Sequence, residues 1–332
     1  MRRTNLALFA LLPLLASAPA ADEVTFHVAK GAVVEKTFAH TLDLELEEMK
    51  VRFGDEEISP DDLGGFEMSV ETSGELVFVD EYREMGDGRP KLLARKFKNL
   101  QYEENQSTTT DGESEDKSSE EESELEGKTV LFAWDDDEDA WKRTYEGDEA
   151  AAELLDPLIE DVDLREFLPG KSVSTDDSWD VEAKLFDHVL SPGGDLGMRS
   201  EDDDEESEEF ERQISENMGG EVKVTFKGLR EEDGVRVAVL AVEAQIKSFG
   251  EQSKDEDEAQ QTRRYELDAG FEGEILWDAA KGRPHSYSLS GTTKVRFVDS
   301  SAMDHGGEHF EMSQTILLSG PSKLTGAWAS VE

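Results

Sequence analysis

"VVEKTFAHTLDLELEEMKVRF", Val33–Phe53, decides the fold class. Polar and apolar residues alternate through Thr41-Leu42-Asp43-Leu44-Glu45-Leu46 and on to Met49, Val51 and Phe53. Successive side chains of a strand point to opposite faces. A period of two therefore predicts a long strand, or a hairpin, with one buried face.

The same period recurs outward from this stretch. "FEMSVETSGELVFVDEYREM" reads as a hairpin turning at Ser73-Gly74, and "PKLLARKFKNLQYEE" alternates through Leu92, Ala94, Phe97 and Tyr102. "KTVLFAWDDDEDAWKRTY" reads as strand, acidic turn, strand. Further on, "SWDVEAKLFDHVL" and "EVKVTFKGL" read as single strands. "GVRVAVLAVEAQIKSF" is another, and its unbroken apolar run Val237–Val242 predicts burial on both faces. "TRRYELDAGFEGEILWDAAKGRPHSYSLSGTTKVRFV" predicts a long hairpin turning at Asp278–Pro284, and "EHFEMSQTILLSG" is the last strand.

Helical spacing is confined to two places. Over 148–160, Ala151, Leu154, Leu155 and Leu158 share a face, with Pro157 as a kink. Over 206–218, Phe210, Ile214 and Met218 recur every four residues before Gly219-Gly220. The expected fold is mainly β (a β-rich α+β chain), with extended antiparallel curved sheets and a few short helices.

The N-terminus, "MRRTNLALFALLPLLASAPAADEV", has two arginines, an apolar run from Leu6 to Ala16 and the small-x-small pattern Ala18-Pro19-Ala20. It reads as a signal peptide, 1–20, and predicts an exported protein, periplasmic or extracellular. The expected layout continues with an N-terminal β-rich half, 21–146, carrying a disordered acidic insert at 105–127. A helical connector, 147–170, joins it to a C-terminal β-rich half, 171–332, with an acidic linker at 199–207.

Eighty acids against 34 bases give a net charge of −46, concentrated in Asp111–Glu126, Asp135–Asp139, Glu201–Glu209 and Asp255–Glu258. Such a field repels nucleic acid and anionic membrane surfaces, and favours a basic protein or a divalent cation as partner. The chain has no cysteine, which removes thiolate catalysis, cysteine-ligated zinc and disulfides. No stretch of the mature chain is apolar for long enough to predict a transmembrane segment.

Leu168-Pro169, Val173 and Asp177-Ser178-Trp179, followed by Gly273, Asp278 and Gly282, carry a resemblance. This order resembles a family of uncharacterised exported bacterial β-rich proteins, over about half the chain. The family prefers glycine where this chain has Asp176. The resemblance implies an exported β-rich module and brings no catalytic residue with it. Read from its chemistry alone, Trp179 is a large ring anchoring the first strand of the second half.

Three acidic or histidine constellations are candidate sites. "HGGEH", His305 to His309, matches H-x-x-E-H, in which a helix brings two histidines to a metal beside a glutamate base. Gly306 and Gly307 are poor helix formers, so a connection between strands is expected, with adventitious metal binding by His305 and His309 left open. Asp135, Asp137 and Asp139, with Glu146, occupy positions 1, 3, 5 and 12 of a calcium loop. Ala140 replaces the required glycine, so an acidic hairpin turn is expected. "DGESEDKSSEEESELEG", Asp111 to Gly127, has neither calcium-loop spacing nor a periodic apolar face and is expected to be a disordered spacer.

No Ser/His/Asp set, phosphate loop or cofactor fingerprint occurs, so no catalytic residue and no cofactor is assigned. The expectation is an exported acidic non-catalytic β-rich protein, structural or interaction-mediating at the cell envelope. Two alternatives stand beside it: a hydrophobic-ligand or lipid carrier with a groove in a curved sheet, and a weak calcium-binding module.

Overall fold

The computed structural model describes residues 24–58, 65–86, 88–147, 150–199, 205–256, 259–305 and 308–331. The chain is mainly β, with 69% strand against 8% helix. The first half supplies β1 (Val33–Phe53), β2 (Glu56–Ile58), β3 (Glu67–Gly86), β4 (Arg89–Thr110), β5 (Glu113–Glu121), β6 (Thr129–Asp135) and β7 (Ala140–Tyr145). The second supplies β8 (Ser178–Val181), β9 (Gly219–Glu232), β10 (Val235–Glu256), β11 (Ala259–Asp278), β12 (Arg283–His305) and β13 (Glu308–Ser330). Two α-helices are described, α1 (Asp187–Leu190) and α2 (Glu205–Glu216).

All thirteen strands form one antiparallel sheet, in the order β7-β6-β4-β3-β1-β13-β12-β11-β10-β9-β8, with β2 on β1 and β5 on β4. The two expected halves are therefore one sheet, closed by the pairing of β1 with β13 from Val34↔Ser330 to Phe53↔Met312. This seam joins the first strand to the last, a pairing that no local pattern encodes.

Directly opposed residues of an antiparallel pair lie on the same face. Following the pairings puts Phe38, Leu42 and Leu44 of β1 on one face with Leu76 and Phe78 of β3 and with Leu318 and Leu324 of β13. Leu289 and Val295 of β12 and Phe271 and Ile275 of β11 continue it. At one end of the strands this inner face is covered by the connector after β7 and by the extended segment Val24–Val28, whose alternate residues Val24, Phe26 and Val28 are buried. Phe78, Phe97, Phe132 and Phe186 are fully buried there. Each such ring contributes about 2–3 kcal/mol by leaving water.

The sheet is rolled about that face. Glu104 of β4 raises the phenol of Tyr265 of β11, after burial the second cause of a pKa of about 12. Four strands separate β4 from β11. In a flat sheet they would stand roughly 24 Å apart at about 4.8 Å per strand. Glycines on the inner face allow the curl: a Cβ on Gly291 would overlap the Gly270 carbonyl, and one on Gly320 the Asp43 carbonyl.

Several local expectations are corrected. Ser73-Gly74 is not a turn, and β3 runs straight through it, because the absent Gly74 side chain leaves room for the His40 ring. Among its described residues the connector has no α-helix over 150–160: it holds 3-10 turns at Ala152–Leu154 and Arg165–Phe167, its backbone being drawn into contacts with the sheet. "SWDVEAKLFDHVL" is strand only to Val181, then a 3-10 turn and α1. The helix expected at 206–218 is α2, and Val237–Val242 is mostly buried as expected.

The segment 105–127, expected to be disordered, is ordered. β4 continues to Thr110 and pairs with β5 from Tyr102↔Glu121 to Thr110↔Glu113. Asp111 and Gly112 both take positive φ, the two-residue hairpin turn that an Asp-Gly pair favours. Cross-strand Ser107–Asp116 and Thr109–Ser114 hydrogen bonds support it. After β5, Leu125 is fully buried and Ser123 donates to the Leu196 carbonyl at 2.5 Å, so that end of the segment belongs to the core. The stretch 1–20, expected to be a signal peptide, and most of the expected 199–207 linker lie outside the described residues; the helix α2 begins at Glu205.

Candidate functional sites: a buried charge network and an open apolar face

A network of charges lies under the connector. Lys36 of β1 is fully buried, with Nζ 2.6 Å from Asp80 of β3 and 2.8 Å from Asp163 of the connector. Arg95 of β4, also fully buried, grips both Asp80 oxygens at 2.8 Å and donates to the Ile159 and Glu160 carbonyls at 2.8 Å. The Tyr82 hydroxyl donates to Asp163 at 2.5 Å, and Trp328 Nε1 donates to it at 3.2 Å. Burial alone would raise the Asp80 carboxyl, but Arg95 and Lys36 together bring it below its ordinary value. A buried ion pair is costly unless its hydrogen bonds are satisfied, and here Asp80 and Asp163 each meet several donors. The network pins the connector to four strands of the sheet, β1, β3, β4 and β13.

One step outward, the connector chain turns through Leu164, which takes a left-handed conformation at φ 53°. Asp161 accepts from the Asp163 and Arg165 amides, and Arg165 pairs with Asp161 at 3.2 Å and with Glu160 at 2.5 Å. Burial raises Glu160 to about 7, against the pull of Arg165. Asp161, Glu166 and His188 each bring a ligand atom to within 4.8 Å of the others. These three are separated by 5 and 22 positions in the chain and match no motif, so sequence reasoning missed them.

At the other end of the strands the described residues cover the inner face only in part. Leu44, Val295 and Leu318 form a second small core, with Leu42, Leu46, Met68, Val70, Tyr265, Leu267 and Ile316 against it. α2 lays Phe210 edge-on to Tyr265, and Asn217 donates to the Phe249 carbonyl at 3.0 Å. Beyond them the face ends in Phe53 opposite Met312 and Met303 opposite Phe310, with Phe297 opposite Ile316. Phe53, Phe297, Met303, Phe310 and Met312 are 40–52% exposed. Isolated exposed apolar residues are ordinary, whereas five on one face are a patch.

The sites expected from sequence fall elsewhere. His305 closes β12 and His309 is the second residue of β13, with His305 opposite Glu308 and Asp304 opposite His309. The pair therefore sits at a hairpin end, not on the helix that an H-x-x-E-H metalloprotease requires. Asp135, Asp137 and Asp139 lie at the β6–β7 turn. Asp135 accepts from the Asp137 and Glu138 amides and is paired with Lys142, while Asp136 pairs with Lys91 at 2.6 Å. Glu146, the twelfth position of the supposed calcium loop, is held by Arg83 at 2.6 and 2.8 Å. Bases of this chain take places a calcium ion would need.

Two cavities are described among these elements. One of about 160 Å³ is lined by Val24, Leu229, Arg236 and Trp277, and one of about 340 Å³ by Tyr102, Glu103, Glu120, Glu121, Glu122 and Glu126. No family model matches the chain, and no curated protein matches it.

Proposed function

We propose that this is an exported, non-catalytic binding protein that holds a protein partner on the open apolar end of its sheet. One observation carries the reading: Phe53, Phe297, Met303, Phe310 and Met312 share the inner face, are exposed, and continue a core that is packed at its other end. The net charge of −46 selects a partner with an apolar centre and a basic rim. The signal-peptide pattern read at 1–20 supports an interaction at the cell envelope, in the periplasm or outside the cell.

The hydrophobic-ligand alternative has weaker support. Where the sheet rolls, its interior is filled by Leu44, Val295 and Leu318, and the larger described cavity is walled by acids rather than by apolar side chains. The calcium alternative has little support from the β6–β7 turn, whose Asp135 and Asp136 already meet lysines.

A photo-crosslinking residue placed at Phe310, Phe53 or Lys323 and expressed in the native host tests the reading. Lys323 projects from the opposite face and is exposed. One dominant adduct from Phe310 and Phe53, absent from Lys323, is the expected result. Equal adducts from both faces, or a lipid and no protein at Phe310, would sink it.

A further inference from the structure

We propose that Asp161, Glu166 and His188 form a binding site for a divalent transition-metal ion that clasps α1 to the connector. Their ligand atoms already lie within 4.8 Å of one another. Ligands of one such ion stand roughly 3–3.5 Å apart at metal–ligand distances of about 2.0–2.2 Å, so small side-chain rotations complete the set. Two of the three donors have nothing else to do. The Nδ1 atom of His188 is shut off from solvent without a hydrogen-bond partner, and Glu166 makes no direct hydrogen bond or ion pair among the described residues.

Asp161 is engaged by two backbone amides and by Arg165, but each carboxylate oxygen can accept more than one partner. One imidazole and two carboxylates suit zinc, cobalt or nickel better than calcium, which prefers more ligands and oxygen alone. Three protein ligands leave a coordination position for water.

Tag-free protein, stripped with a chelator and titrated with zinc or cobalt alone, tests the site. The parent should bind one ion per chain, gain several degrees in Tm, and show a cobalt absorption spectrum with an imidazole ligand. A His305→Ala/His309→Ala variant should keep all three properties, because the hairpin pair is a separate locus. His188→Gln and Glu166→Gln should lose the Tm gain and bind at least tenfold more weakly. Glu166 is exposed, so the second variant stays folded even if the first does not. No stabilisation of the parent, stabilisation that survives in Glu166→Gln, or stabilisation lost only in the hairpin variant would each overturn the proposal.

Discussion

Lys36 and Asp163 meet at 2.8 Å in the dry centre of the molecule, and their ion pair is where the irregular connector is fastened to the first strand of the sheet. Neither side chain is more than 1% exposed. Lys36 also faces Asp80, so one ammonium serves two carboxylates on two different elements.

Replacing Lys36 with Met should therefore be strongly destabilising, because it strands two buried carboxylates. The expected loss is about 3–5 kcal/mol, read as a lower midpoint in urea at unchanged slope. Adding Asp163→Asn should return part of it. A double variant no more stable than Lys36→Met would show that the pair does not hold the connector.

His40 sets a pH dependence. Burial between Gly74 and Tyr102 lowers its pKa below 6.5, so the unfolded chain binds the proton more readily than the folded one. Stability should accordingly be complete above the unfolded value, and fall as pH drops from about 6.5 toward the lower folded pKa. In a His40→Phe variant that fall should vanish from thermal melts taken across this window, leaving the opposite trend of Glu160, whose raised carboxyl gains stability as pH drops below about 7. An unchanged slope would assign it to another group.

The rolled shape depends on bare backbone at the inner face. Gly291→Ala should cost about 1–3 kcal/mol, because the new methyl meets the Gly270 carbonyl rather than a side chain that can swing away. A surface control, Gly112→Ala in the hairpin turn, has open space around its Cβ and only its φ of 79° against it, so it should cost less. Equal losses would mean that the close approach at Gly291 relaxes freely.

The charge of the acidic hairpin should be dispensable, although its first strand also pairs with β3 from Glu67↔Thr109 to Glu71↔Asn105. Changing Glu113, Glu115 and Glu120 together to Gln leaves every backbone pair in place and spares Glu122, Ser123 and Leu125, which touch the core. Tm should stay the same or rise slightly, more so at low salt, where like charges repel over a longer range. A fall of several degrees would give these carboxylates a structural role.

The inner-face patch should be separable from stability. Phe310→Glu with Met312→Glu should leave Tm within a degree or two, since both side chains are already largely in water, while abolishing the Phe53 crosslink. A cooperative loss of folding would instead assign these residues to the core.

Alternation at Val33–Phe53 and in the later segments was enough to specify long strands, an antiparallel sheet and which residues face inward, because side-chain period and one-sided burial are local properties. The turn at Asp278–Pro284 and the helix α2 were legible for the same reason. Net charge likewise follows from composition alone. Where local signals conflicted, tertiary contacts decided. Gly74 was a turn by composition and is mid-strand because His40 needs its space. The acidic stretch had no apolar period, yet it pairs because its neighbour strand supplies backbone partners and Asp111-Gly112 turns tightly. Asp176 takes φ 71°, the conformation a glycine would adopt more readily, and keeps it beside Lys227. The β1–β13 seam, the network of Lys36, Asp80, Arg95 and Asp163, and the meeting of Asp161, Glu166 and His188 all join residues far apart in the chain. Only closure of the sheet over the connector brings them together, and no spacing along the sequence records it.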